Sequence, residues 1–226
     1  MALQERAIRT RRSIVAAAAA VFAEVGYEAA TISEIHQRAK VTKGALYFHF
    51  SSKEELAQEV LADQLSSVPR PPSQELVLQE GLDATFLLAH MLSVGDPLVR
   101  GSIRLTVEQG YPQDGLNRQI PMAGWIEHNV ELLGRAKAKG EVLPHIDVQD
   151  AARVFVAAFT GAQILSKIMT GHADLPQRVA SVERHLMASI AVPAVLLQLD
   201  MAPDRGARVY EQAMRLRQEA EALALD

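Results

Sequence analysis

A chain of 226 residues, 49% of them hydrophobic, is long enough for one large domain or two smaller ones and too apolar to stay disordered. It has no cysteine, which excludes disulfides, thiolate nucleophiles and Cys-ligated zinc and suits a reducing cytoplasm. The formal net charge of -4 argues against a nucleic-acid partner only until its distribution is read: residues 1–50 carry seven Arg and Lys against four Glu, so a basic end of +3 precedes a remainder of -7.

The first element is ambiguous at its start. Arg11 and Arg12 before the apolar stretch to Ala20 look like a twin-arginine export signal. Against that, Ile8, Val15, Ala18, Phe22 and Val25 keep helical spacing, Glu24 interrupts the run and Gly26 supplies a C-terminal stop, so the segment is expected as a folded amphipathic helix. Thr31-Ile32-Ser33-Glu34 is a capping-box pattern that starts a second, short helix with Ile32, Ile35 and Ala39 on its apolar face. A break at Ala39-Lys40-Val41 leads to a second hydroxyl cap, Thr42, and a third helix. Two short capped helices joined by a tight turn are what helix-turn-helix geometry requires.

In that third helix Ala45, Leu46 and Phe50 are expected to pack inward, leaving Thr42, Lys43, Gly44, Tyr47 and His49 for a duplex. The competing reading makes Tyr47, Phe48 and His49 ordinary packing residues. Lysine neutralises phosphate, while hydroxyls, the imidazole and helix N-terminal N–H groups donate to phosphate oxygens. Gly44 is expected to let the backbone approach the groove.

Thr42 to Phe50, with Gly26-Tyr27, Thr31 and Ser51-Ser52-Lys53-Glu54-Glu55-Leu56 around it, resembles the DNA-binding domain of TetR-family repressors over about the first sixty-five residues. The run Val41 to Phe50 is similar, more narrowly, to receptors for γ-butyrolactone-type autoregulators of actinomycetes. The resemblance implies an all-α, TetR-like fold: an N-terminal three-helix helix-turn-helix domain over 1–51, and a C-terminal helical ligand-binding and dimerisation domain over 52–226 whose residues 52–67 form a connecting helix. The DNA-facing set it suggests is Arg9, Thr31, Ser33, Thr42, Lys43, Gly44, Tyr47, His49 and Lys53.

Ser52 and Glu55 form a further capping box before Leu56, Ala57, Val60 and Leu61, the stripe of a fourth helix running to about Ser67. Val68-Pro69-Arg70-Pro71-Pro72 then stops helicity. Helices are predicted beyond it near 74–92, 97–109, 121–139, 148–170, 175–199 and 204–223, with Pro193 expected to kink the fifth of these. No alternating strand pattern competes, and charged residues interrupt every run long enough to span a membrane.

Gln64 lies on the stripe of the fourth helix that should be buried, so its amide either bonds between helices or lines a ligand pocket. Trp125, the only tryptophan, either packs in the core or covers a lipid-like ligand; the resemblance implies ligand contact, and Asp96-Pro97-Leu98-Val99-Arg100 and Arg104-Leu105-Thr106 extend the match to the autoregulator receptors. Phe155, Phe159, Ala162, Leu165 and Met169 give a broad apolar face interrupted by Thr160 and Gln163. These two polar groups suit a lactone or butenolide carbonyl and a hydroxyl, although Thr160 is equally placed to bond back to its own helix. The expected ligand set is Gln64, Trp125, Phe159, Thr160 and Gln163. His90 and Arg104 are weaker candidates.

One helix-turn-helix reads a single half-site, so a homodimer on a palindromic operator is expected. Its interface is expected on the helices of Phe155 to Met169 and Val179 to Leu197, through Val182, Leu186, Ile190 and Leu197. The chain shows no Gly-rich phosphate loop, no HExxH pair, no Gly-x-Ser-x-Gly elbow and no i, i+4 pairing among its seven histidines, so neither an enzyme nor a cofactor or metal site is expected. The expected function is a cytoplasmic repressor that leaves its operator on binding a small autoregulator and controls secondary-metabolite genes. Its alternatives are a pseudo-receptor for antibiotics or other apolar ligands, and an all-helical carrier.

Overall fold

The computed structural model describes residues 2–63, 68–107 and 114–223. Among them the chain forms α1 (Ala2–Ala29), α2 (Ile32–Arg38), α3 (Lys43–His49), α4 (Lys53–Ala62), α5 (Val77–Val94), α6 (Pro97–Val107), α7 (Gln119–Ala138), α8 (Val148–Thr170), α9 (Leu175–Ile190), α10 (Pro193–Leu196) and α11 (Arg205–Leu223), with no strand. The all-α class is as the sequence predicts. Packing divides the chain into two compact units. Unit 1 takes the described parts of 1–67 and 95–123, and unit 2 those of 68–94 and 124–226. This grouping by contact differs from the 51/52 division, because α6 from mid-chain packs on α1.

In unit 1, Ile14, Ala18 and Phe22 of α1 meet Ile35, Leu46, Phe50, Leu56 and Leu105 in one core. The alanine run serves close approach. Ala17, Ala18 and Ala19 are buried, and α6 comes so near that a Cβ on Gly101 would collide with the Ala19 carbonyl. Asp96 begins α6 by accepting from the amides of Leu98 and Val99, each at 3.0 Å, with Pro97 in the first turn where its missing N–H costs nothing. Arg104 of α6 donates to the Ala23 carbonyl at 2.9 Å. α1 is broken at Gly26, whose φ of 81° places it where side-chain-bearing residues are strained.

Unit 2 is tied together by buried charge. Asp83 of α5 has no exposed surface. It receives Arg205 of α11 through two bonds of 2.8 and 2.7 Å, and Gln79 and Gln74 at 2.8 Å each. Such a pair offsets its desolvation only because both carboxylate oxygens are fully used. One residue later, Gly206 lets α11 approach the Phe86 carbonyl of α5. Glu141, also buried, accepts from the amides of Val77 and Leu78 at 3.0 and 2.9 Å, capping α5 from 63 residues or more away in sequence.

Pro193 does not kink a long helix as expected. α9 ends at Ile190, Ala191 turns extended and bridges Val142, and Pro193 opens the short α10. Leu143 donates to Ile190 and Val192 to Glu141, at 2.8 and 2.9 Å, so the backbone bonds lost to the helix are recovered across this bridge. α8 spans the predicted residues, held by Asp147 at its start and by Gly171, with φ of 62°, at its end.

Two glycine substitutions separate packing from propensity. Gly101→Ala meets backbone that cannot rotate away, so thermal unfolding should show a loss of about 1–3 kcal/mol. Gly134→Ala in α7 meets nothing within 4 Å and should be stabilising by about 0.5–1 kcal/mol.

Candidate nucleic-acid interface and effector-binding residues

α2 and α3 have seven residues each, so their ends decide whether they form. Thr31 accepts from the Glu34 amide at 3.2 Å, and the Glu34 carboxylate accepts from the Thr31 amide at 3.0 Å, completing the capping box read from the sequence. The Thr31 hydroxyl also donates to that carboxylate at 2.8 Å, and this bond, together with the one from the Thr31 amide, holds the Glu34 carboxyl below its usual range. Thr42 accepts from the Ala45 amide at 3.2 Å. The turn between them passes through Lys40 at a φ of 55°, and Val41 donates to the His36 carbonyl at 3.1 Å. At α4 the capping box is offset. Ser52 accepts from the Glu55 amide at 3.0 Å, but the Glu55 carboxylate reaches the amide and hydroxyl of Ser51, both at 2.6 Å.

Leu46 and Phe50 fix the buried side of α3, and Ala45 is half-buried. Thr42, Lys43, Gly44 and Tyr47 are exposed and His49 is half-buried. The Lys43 ammonium lies 5.9 Å from the centre of the Tyr47 ring, and a Cβ on Gly44 would meet nothing within 4 Å. Arg9 and Ser33 are exposed as well. Phe48, which the sequence reading assigned to neither face, is 81% exposed and sits edge-on to His49 at 5.2 Å between ring centres. A helical wheel anchored on Leu46 and Phe50 points it outward, a signal the sequence did carry.

Lys53 stands apart from the expected set. Its ammonium donates to the carbonyls of Tyr27, Glu28 and Ala30 at 2.8, 3.3 and 3.2 Å and lies 4.4 Å from the centre of the Tyr27 ring. Three donors answer three carbonyls at the end of α1, so Lys53 braces the scaffold instead of reaching outward. Arg11 likewise pairs with Glu59 of α4 and lies 4.8 Å over Phe50, locking α1 to the core beneath α3. The paired arginines before the alanine run are thus part of a folded helix.

Of the expected ligand residues, Gln64 falls outside the described residues. The others lie in unit 2. Trp125 is half-buried and edge-on to His128 at 6.3 Å, and its carbonyl accepts from Asn129 at 2.9 Å. Phe159 and Thr160 are half-buried, and the Thr160 hydroxyl donates back to Val156 at 2.7 Å, as anticipated for a helical threonine. Gln163 is 2% exposed and its Oε1 has no hydrogen-bond partner. Sequence reasoning passed over Glu183 of α9. It is equally buried, and burial pushes its carboxyl up to about 8. Its position was legible, four residues from Val179 and four from Met187 on the buried stripe.

The apolar face read on α8 divides in two. Ala152, Phe155, Gln163 and Ser166 face the interior, whereas Val154, Ile164, Leu165, Ile168 and Met169 are exposed, so Leu165 and Met169 do not join a pocket with Phe155. Ile190 is in the core, Val182 and Leu186 are half-buried and Leu197 is 88% exposed. Contrary to the sequence reading, α8 is long and apolar enough to cross a membrane by length and composition alone, with a mean hydropathy of 1.2. Its packing against α9 gives it the amphipathic arrangement of a helix in a folded body.

Residues 14–60 match the family model for bacterial regulatory proteins of the tetR family, and residues 77–193 match that for the tetracyclin repressor-like C-terminal domain. The A-factor receptor protein of Streptomyces griseus is 42% identical over 97% of this chain and 78% of its own length. A crystal structure of full-length native TylP, a TetR regulator from Streptomyces fradiae, is 63% identical with a TM-score of 0.88, covering 92% of this chain and 99% of that one. A structure of a γ-butyrolactone receptor, an ArpA-like protein, is 32% identical with a TM-score of 0.64, covering 95% and 99%. With capped helices presenting an exposed cationic and aromatic face and relatives matched along nearly the whole chain, this chain belongs to the TetR family of bacterial regulatory proteins, as a DNA-binding repressor and not an enzyme.

Proposed function

We propose that this repressor acts in the cytoplasm as a homodimer on a palindromic operator, and that a γ-butyrolactone-type autoregulator or a chemically related butenolide releases it. The observation that carries the reading is the pairing of an outward α3 face with a buried, unsatisfied amide at Gln163 in unit 2. The names of two relatives, an A-factor receptor and a γ-butyrolactone receptor, support the ligand class. Arg9, Ser33, Thr42, Lys43, Gly44, Tyr47 and His49 are the proposed DNA-facing residues, with Phe48 added. Thr31 acts as the cap that sets α2. Trp125, Phe159, Thr160 and Gln163 are the proposed effector residues, and Gln64 joins them on its sequence position.

The mechanism is a population shift. Without effector, the two recognition helices of a dimer are held at half-site spacing. An effector that prefers a different arrangement lowers operator affinity by no more than that preference. The exposed stripe of Val154, Ile164, Leu165, Ile168 and Met169 on α8 supports the dimer, since an apolar face of this kind on a regulator that reads two half-sites suits a second copy. A pseudo-receptor that answers antibiotics fits the same geometry with a different ligand.

Three measurements test this. On a duplex selected by the wild-type protein from a random pool, Lys43→Ala should weaken binding and lower the salt slope by about one counterion; an unchanged slope removes Lys43 from the phosphate contacts. Ile168→Glu should give a monomer in analytical ultracentrifugation, and a retained dimer moves the interface elsewhere. Trp125→Ala should keep operator affinity but lose release by a synthetic γ-butyrolactone that dissociates the wild type; normal release refutes the pocket assignment.

A further inference from the structure

We propose that Glu183 and Gln163 together form a ligand subsite inside unit 2, built to take a hydroxyl group carried by an otherwise apolar effector. The inference rests on the effector-release reading and adds to it the chemical group that is read and a residue, Glu183, that reads it.

The two side chains occupy corresponding places. α8 and α9 pack together and are joined by the turn 171–174, so they run antiparallel. Gln163 lies seven residues before Thr170 at the end of α8, and Glu183 eight after Leu175 at the start of α9. At about 1.5 Å rise per residue their heights across this hairpin differ by about 2 Å. Each is 2% exposed, and they are the long polar side chains on the inward stripes of the two helices.

Their chemistry is complementary to a hydroxyl. The Gln163 Oε1 is buried without a donor, a cost that folded proteins seldom leave unmet. Glu183, whose carboxyl burial keeps protonated at neutral pH, offers one O–H donor and one carbonyl acceptor. A group that donates to Gln163 and accepts from Glu183 must do both at one atom, which a hydroxyl does and a lactone carbonyl or an ether does not. The contrast with the remaining buried acids of unit 2 is informative. Asp83 is satisfied by Arg205 and two glutamines, and Glu141 by two backbone amides. Those acids hold the scaffold together. Among the described residues, Glu183 takes part in no bond of that kind, and the Gln163 amide oxygen level with it has no donor.

The test uses the full-length protein and two synthetic γ-butyrolactones with the same alkyl chain, one bearing a free side-chain hydroxyl and one lacking it. Calorimetry gives affinity, and fluorescence anisotropy of labelled operator gives release. Wild type should prefer the hydroxylated lactone by up to about tenfold, the range of a single neutral hydrogen bond. Glu183→Met, an apolar substitution suited to a buried site, should erase that preference by weakening the hydroxylated lactone alone. Glu183→Gln keeps a donor and an acceptor and should retain most of the preference. Circular dichroism confirms that both variants fold. A Met variant that keeps the preference, or that weakens both lactones equally, overturns the subsite. If wild type holds operator while neither lactone binds, the ligand class fails first and takes the subsite with it.

Discussion

A helix of seven residues does not persist alone in water, and the reading surface of this protein is carried by two of them. α2 and α3 therefore exist on borrowed stability. Part comes from Thr31 and Thr42, whose hydroxyls answer amides that the first turn leaves open, and part from Ile35, Leu46 and Phe50 sinking into the core built on α1. Because the caps fix the helix ends and the core residues fix the burial angle, the outward set from Lys43 to His49 has little freedom to rotate. Cations that a cruder reading assigns to DNA are partly consumed in this support. Lys53 closes α1, and Arg11, part of the basic N-terminal end, ties α1 to α4.

Unit 2 treats buried polar atoms in two ways. Around Asp83 and Glu141 every carboxylate oxygen receives a donor, and Arg205 on Asp83 and the Val77 and Leu78 amides on Glu141 come from segments far apart in sequence from the acids. Fully satisfied networks of this kind specify one arrangement of helices and resist change. On the inward faces of α8 and α9, Gln163 and Glu183 are equally buried, and the Gln163 Oε1 has no donor. A body fully bonded between α5 and α11 and left with an unsatisfied amide oxygen on α8 is the kind in which a small molecule has something to complete.

Local chemistry was what the sequence made legible. The caps at Thr31, Thr42 and Ser52, the stop at Gly26 and the bounds of α8 all follow from a few adjacent residues, and so does the family. Where a second segment decided the outcome, the sequence was silent or misleading. The bridge between Val142 and Ala191 turns Pro193 from a kink into a helix start, and Arg205 finds Asp83 across 122 residues. Phe48 and Glu183 are different, since spacing alone put one outside and the other inside. Glu183 was missed because acids are assumed to be solvated, and Phe48 because its polar neighbours drew the reading of the outward face.

The close approach of Gly101 to Ala19 has a bearing on how regulators of this kind are recombined. The piece of chain that supports the reading head is interrupted: it stops in the sixties, is suspended through α5, and resumes at 95 with α6. A hybrid joined at residue 67 would inherit α1 from one parent and the glycine that nests against it from another, and any larger residue there would pry the two helices apart. Exchanging specificities between relatives by a single splice thus depends on a small residue at this one position, whereas a transplant of both stretches carries the fit with it.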